Sequence, residues 1–225
     1  MDPDHGDPSR ARAWTFALVD LAGFTALTES HGDEQAADLA TKFADLASEQ
    51  LAPGDRLVKT IGDAVLLAAS GPGAGLTLVR RLLESCYRLD GFPVARAALH
   101  HGSAVERGGD LFGAAVNLVA RVAGQAAGGQ VLATREVALA ARDAGVPVTS
   151  LGDLELHNIA EPVELFDVEL CPLPDNGAID PVCRMRVDRR RAAGRLVHAG
   201  RDYWFCSLRC VASFAASPER IVERG

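Results

Sequence analysis

The chain has 225 residues, a net charge of −7, 48% hydrophobic and 24% charged residues, a balance ordinary for a globular protein and a length that suits one medium domain plus a small one. No apolar run reaches the roughly 18–20 residues of a bilayer span, and residues 1–10 are polar with no apolar h-region, so the reading excludes a membrane span and a secretory signal and expects a cytoplasmic protein with a disordered tail over residues 1–12. The charge is uneven. Residues 1–176 carry 13 basic and 25 acidic side chains, and residues 177–225 carry 10 arginines and 5 acids, which predicts two units with different surfaces. The Arg-rich end lacks interleaved aromatics. It is read as a solvated face, and no nucleic-acid partner is expected.

In chain order, Thr15–Val19 is an apolar run that predicts a buried strand ending at Asp20. Phe24–Ser30 predicts a short helix that His31-Gly32-Asp33 interrupts. From Asp33 the residues Ala36, Leu39, Phe43, Leu46 and Ala47 recur at helical spacing, and Pro53-Gly54 ends that helix. Arg56–Thr60 and Ala64–Ala69 predict a hairpin turning at Gly62-Asp63. Leu76–Leu89 predicts a helix, and Val94–His100 a strand with Ser103–Glu106 pairing onto it. Phe112–Ala126 predicts a helix, Gln130–Ala133 a strand, Arg135–Asp143 a helix and Val163–Glu169 a final strand. The order β-α-β-β-α-β is that of an α+β, ferredoxin-like split-βαβ fold with a mixed, mostly antiparallel sheet and flanking helices. Residues 171–177, rich in Pro, Asn and Gly, predict a linker to a small Cys-rich α+β module over residues 178–225.

Two acids fall at strand ends. Asp20 closes the first strand and Asp63 sits at the hairpin tip. In a sheet that places them side by side, their carboxylates supply the hard oxygen ligands that Mg²⁺ or Mn²⁺ prefers. The helix opening after Asp20 presents free N–H groups suited to a phosphate. Asn117 and Arg121, four apart, share a helix face. Asp110 precedes that helix, and Lys59 precedes Asp63 by four residues. Taken singly, each has a plain structural reading: a helix cap, a turn residue, a solvated side chain.

Together they carry more. The strings FALVDLAGFTALTE, LVKTIGDAVLLA and GGDLFGAAVNLVARV resemble class III adenylate and guanylate cyclase catalytic domains over residues 13–170. The resemblance implies production of 3′,5′-cyclic AMP and pyrophosphate from ATP. Asp20 and Asp63, with the Leu21 carbonyl, would hold two Mg²⁺ or Mn²⁺ ions. Gly23, Phe24 and Thr25 would line the phosphate turn, Lys59 and Asp110 would read the purine, Asn117 would orient the ribose, and Arg121 would stabilise charge on the α-phosphate. It further implies a homodimer whose two equivalent sites each draw on both protomers.

Base choice follows from hydrogen-bond chemistry. A carboxylate at Asp110 accepts from the adenine N6 amino group, and Lys59 donates to adenine N1. Guanine presents an acceptor and a donor at those positions, so the pair favours ATP. One residue departs from the family pattern. In LELHNIAEPVELFDV, His157 stands where relatives carry a lysine for the terminal phosphates, and a histidine is only partly charged near neutral pH. That departure leaves open a weakly active or inactive cyclase-like dimerisation and sensor module.

The five cysteines are Cys86, Cys171, Cys183, Cys206 and Cys210. An odd number without an export signal argues against a disulfide framework. Cys183, Cys206 and Cys210 lie within 28 residues and suit Zn²⁺ or Cu⁺, with His198 or Met185 as candidate fourth ligand. DPVCRM and YWFCSLRC resemble the YHS domain, a short metal-binding module, which implies that metal binding there regulates the rest of the chain. Cys86 and Cys171 are read as structural.

Overall fold

The computed structural model describes residues 11–172 and 177–222. Residues 1–10 of the expected tail and 173–176 of the expected linker lie outside them. The first strand, β1 (Arg12–Leu21), is followed by α1 (Phe24–His31), α2 (Asp33–Glu49), β2 (Arg56–Ile61), β3 (Ala64–Ala69), α3 (Pro72–Arg88), β4 (Ala95–Arg107), β5 (Asp110–Phe112), α4 (Ala114–Ala123), β6 (Val131–Thr134), α5 (Arg135–Asp143), β7 (Val148–Leu154) and β8 (Val163–Val168). These strands form one sheet in the order β2-β3-β1-β4-β6-β8-β7, with β5 paired to β4. Only β4 and β6 run parallel; every other pairing is antiparallel. The central β2-β3-β1-β4 order is the split-βαβ arrangement expected from the sequence.

The near-continuous apolar character of β1 reflects burial on both faces. Ala17, Val19 and Leu21 point into one core with Phe43 of α2, with Leu76, Val79 and Leu83 of α3, and with Val137 of α5. Phe16 points into a second core with Leu66, Ala98 and Val119 of α4. Asp20, alternating with Val19 and Leu21, therefore faces the α4 side of the sheet. Helix α3 begins with Pro72 in its first turn, where the missing N–H costs nothing.

Three elements differ from expectation. Ser103–Glu106 does not fold back on Val94–His100; it continues β4, whose hairpin partner is β5 across Gly108-Gly109, both at positive φ. The α4 helix starts at Ala114 and not at Phe112, because Phe112 is held in that hairpin opposite Val105. Strand β7 was not expected; Gly152 and a register shift against β8 interrupt its alternation.

The C-terminal residues form β9 (Gly177–Ile179), β10 (Arg186–Asp188), β11 (Gly194–His198), β12 (Arg201–Phe205), α6 (Leu208–Ala216) and α7 (Pro218–Val222). Two small antiparallel sheets, β10-β9 and β11-β12, carry these helices. The module is docked on the larger domain. Phe205, Cys183, Cys210 and Phe214 share a core with Leu27 of α1 and Ala36 of α2. Backbone bonds join Val94 N to Arg184 O at 3.1 Å and Arg186 N to Phe92 O at 3.2 Å. The Arg186 guanidinium donates to the carbonyls of Tyr87 at 2.7 Å and Leu89 at 2.6 Å, meeting acceptors that the end of α3 leaves free.

Candidate active site and thiol cluster

Asp20 and Asp63 meet at one end of the sheet. Antiparallel β1–β3 pairing sets Asp20 opposite Ala64, and Leu21 N donates to Asp63 O at 3.3 Å. Gly62, at φ +62°, makes the tight β2–β3 turn. Burial pushes the Asp63 carboxyl above its usual pKa, and the Asp20 charge adds to the rise. Two neighbouring carboxylates, both partly buried, form a site whose chemistry calls for a cation. In the structure Arg96 supplies one. Its Nε and Nη2 donate to Asp20 at 2.7 and 2.9 Å, and its Nη1 reaches Ala126 O at 3.1 Å. Arg96 is not among the site residues expected from the sequence. A lone charged residue inside the apolar run VARAALH, destined for a strand buried on both faces, was the available signal.

After Asp20 the chain turns at Gly23, at φ +71°, a conformation that suits glycine. The first intrahelical bond of α1 is Leu27 N to Gly23 O. The N–H groups of Phe24 and Thr25 thus precede the helical ladder and are available to an anion. Lys59 on β2 and Asp110 on β5 are brought together, with Nζ 2.7 Å from Oδ2. Asp110 Oδ1 also accepts from Leu111 N at 2.8 Å. Those bonds, the Lys59 one foremost, hold the Asp110 carboxyl below its usual range.

Asn117 and Arg121 are exposed on α4, whose opposite face packs on the sheet through Ala115, Val119 and Val122. Within one chain they point away from the sheet that carries Asp20 and Asp63. His157 is exposed in the β7–β8 loop.

A curated adenylate cyclase of Mycobacterium tuberculosis, described as pH-sensitive, is 40% identical over 162 residues, covering 70% of this chain and 41% of that protein. An adenylate cyclase of Streptomyces griseus is 37% identical over 106 residues, 47% of this chain and 27% of that protein. Among solved structures, a Trypanosoma brucei adenylate cyclase superposes with TM-score 0.63 at 22% identity, covering 76% of this chain and 94% of that one. The adenylyl cyclase CyaB of Pseudomonas aeruginosa gives 0.60 at 18% identity, covering 71% and 95%. The larger domain has the class III nucleotide cyclase fold. The chain spans less than half the length of the curated relatives described. No protein-family model matches it.

The remaining cluster joins the module to the larger domain. Cys206 Sγ lies 3.4 Å from Cys183 Sγ and 3.8 Å from Cys210 Sγ, and all five cysteines are free thiols. The nitrogen that joins them is not His198 but His31 Nε2, 3.5 Å from Cys206 Sγ and 3.9 Å from Cys210 Sγ. His198, at the end of β11, instead sets its ring edge-on to Phe214, and Met185 packs at the margin of the shared core. His31 is 152 residues before Cys183 and in the other domain, so no local spacing signalled it. Asp180, fully buried, orders the knuckle: Oδ1 accepts from Val182 N at 2.8 Å and Oδ2 from Cys206 N at 2.9 Å. The neighbouring thiols of Cys183 and Cys206 hold the Cys210 thiol below its usual pKa. Burial pushes Cys86 up to about 12, as suits an inert core thiol.

Proposed function

We propose that this chain is an adenylate cyclase that forms 3′,5′-cyclic AMP and pyrophosphate from ATP at sites shared between two copies of itself. The observation that carries the reading is the convergence of Asp20 and Asp63 at one end of the sheet, beside the Gly23–Thr25 turn. The donor set fits Mg²⁺ or Mn²⁺: hard carboxylate oxygens, with the Leu21 carbonyl at the same strand end. Two such ions, when bound, acidify the attacking 3′-hydroxyl and neutralise charge on the leaving pyrophosphate.

The chain's own groups do the rest. Phe24 and Thr25 N–H groups receive phosphate oxygens. Arg96, which donates to both oxygens of Asp20, would hold that carboxylate in place. Lys59 and Asp110, already paired, offer adenine N1 a donor and N6 an acceptor. Asn117 orients the ribose. Arg121 stabilises the charge that develops at the α-phosphorus, a contribution worth about 10²–10³ in rate where a single oxyanion donor is removed. His157 stands in for the lysine that relatives direct at the terminal phosphates.

Asn117 and Arg121 face away from the sheet bearing the aspartates, which supports their supply by a second protomer. Two large apolar side chains support that assembly. Ile61 is 54% exposed beside the Asp63 turn, and Phe112 is 53% exposed beside Asp110. Covering them in a two-fold dimer buries apolar surface at the rim of each site. The C-terminal module, which resembles YHS domains, binds a soft metal through Cys183, Cys206 and Cys210.

The test is cyclic nucleotide formation by purified protein with ATP or GTP, in Mg²⁺ and in Mn²⁺, beside an Asp63→Ala control. Cyclic AMP from ATP that vanishes in the control supports the enzyme. A dimeric wild-type protein that makes no product under any of these conditions overturns it, and favours a sensor module in which His157 has replaced a needed lysine.

A further inference from the structure

We infer that His31 completes a four-coordinate Zn²⁺ site with Cys183, Cys206 and Cys210, and that this site is a clamp between the two domains that fixes the helix leading out of the catalytic turn. Its bearing on cyclic AMP synthesis rests on the function proposed above; the metal site and its ordering of α1 do not.

Four of the six ligand-atom separations match the edges of a tetrahedral site. Zinc–sulfur bonds of about 2.3 Å and zinc–nitrogen bonds of about 2.0–2.1 Å give tetrahedral edges of about 3.8 Å between sulfurs and about 3.6 Å from sulfur to nitrogen. The pairs around Cys206 and Cys210 measure 3.4, 3.8, 3.5 and 3.9 Å, and all four ligand atoms lie within 4.8 Å of one another. Three thiolates with one imidazole is a recurrent structural zinc set, and an imidazole beside three thiolates suits Zn²⁺ better than the all-sulfur environment that Cu⁺ favours. The ligands are held in place by the fold. Ser207 caps α6 by accepting from Cys210 N at 3.2 Å, Asp180 pins Cys206 N, and Cys183 and Cys210 are fully buried.

His31 connects this site to the catalytic end. It is the last residue of α1, and Gly23, before the first residue, is the phosphate turn. Eight residues at 1.5 Å each make a rod of about 12 Å, and Leu27 at its middle is buried in the shared core. A second route runs through the module. Arg184 follows Cys183, and its side-chain stem lies against Gly23, so that a Cβ built there would fall 2.5 Å from Arg184 Cγ. Both ends of α1 therefore touch the module, one through the metal ligands and one through Arg184. Metal at the cluster holds α1 and the Gly23–Thr25 turn in a single position; without it the three thiols lose their tie to His31.

The test uses the full chain, with Zn²⁺ as the probe and Co²⁺ as its spectroscopic stand-in. The expected results are one Zn²⁺ per chain, and a tetrahedral Co²⁺ spectrum with thiolate charge-transfer bands. In His31→Ala the visible bands shift, and zinc affinity drops at least tenfold, since even outer partners of zinc ligands are worth about 10–100-fold. Backbone amides of α1 exchange faster in His31→Ala, and faster in wild-type protein stripped with a zinc-selective chelator while Mg²⁺ stays in excess. The stripped wild type removes any question of whether the variant folds. No bound zinc overturns the inference, as does a variant with unchanged affinity and spectrum, or α1 exchange indifferent to zinc. Zinc bound as described in a chain that makes no cyclic nucleotide leaves the inference standing and sinks the proposed function. Activity that ignores zinc removal, with α1 exchange unchanged, does the reverse.

Discussion

His31 Nε2 lies 3.5 Å from Cys206 Sγ, so the last residue of α1 meets a thiol 175 positions further along the chain. The contact ties the C-terminal module to the domain that carries Asp20. The shared core of Leu27, Ala36, Phe205 and Phe214 and the Arg186 bonds to α3 point the same way.

Replacing Asp63 separates function from stability. Burial and the nearby Asp20 charge raise its folded pKa, so the folded chain holds that proton more tightly than the unfolded one. Stability from this group is present below the unfolded pKa and declines as pH rises through the folded value. At neutral pH the ionised carboxylate is a liability. Asp63→Asn is expected to lower cyclic AMP formation by at least about 100-fold, while thermal stability at pH 7 stays level or rises by less than about 1 kcal/mol, since the half-exposed carboxylate is screened. Melting curves beside activity assays check both; a large loss of stability would contradict the account.

On the proposed reading, Lys59→Ala and Asp110→Ala each remove one charged hydrogen bond to adenine. Each is expected to lower kcat/KM for ATP by about 10–100-fold, with a smaller effect on GTP. Competition assays with both nucleotides measure the ratio. A ratio that does not move rules out base reading by this pair.

His100 makes a different pH prediction. Burial lowers its folded pKa, and its Nδ1 sits 2.9 Å from Thr134 Oγ1. Its stabilising contribution is present above the unfolded value, about 6.5, and is lost as pH falls through the lower folded value. Wild-type protein should therefore lose more thermal stability between pH 7 and pH 5 than His100→Gln, which keeps a hydrogen-bonding group at that position. Equal losses contradict the assignment.

Arg186→Ala should weaken module docking. The guanidinium serves three carbonyls at the end of α3, those of Cys86, Tyr87 and Leu89, and removing it costs about 1.5–3 kcal/mol. Denaturant unfolding followed in both domains measures the loss. A loss below about 0.5 kcal/mol would show that the apolar core alone holds the module.

The sheet and its carboxylates were legible because their signals are local. The apolar run ending in Asp20 and the Gly62-Asp63 turn each announce themselves within a few residues, and the three strings around them resemble one family in one order. What escaped has a physical reason in each case. The Gly152 irregularity broke the alternation of β7. Phe112 reads as the start of a helix until the Gly108-Gly109 turn draws it into β5. Arg96 gains meaning only when β4 lies against β1. His198 was the nearer histidine in sequence, but Phe214 occupies its ring, whereas His31 reaches the thiols through a packing contact that residue spacing does not encode.

Complementation between two inactive variants tests whether one active site is built from two chains. On the proposed reading, Asp20→Ala removes a metal carboxylate and Arg121→Ala removes the transition-state cation, so each variant alone should be silent. Coexpressed and purified as a mixed dimer population, they should regain cyclic AMP synthesis, because one of the two sites in each heterodimer carries both intact halves. Random pairing sets the expected level near a quarter of wild type. Recovery near that level is the predicted result. A mixture that forms heterodimers yet stays silent, or an Asp20→Ala or Arg121→Ala homodimer that is active, would contradict the shared site.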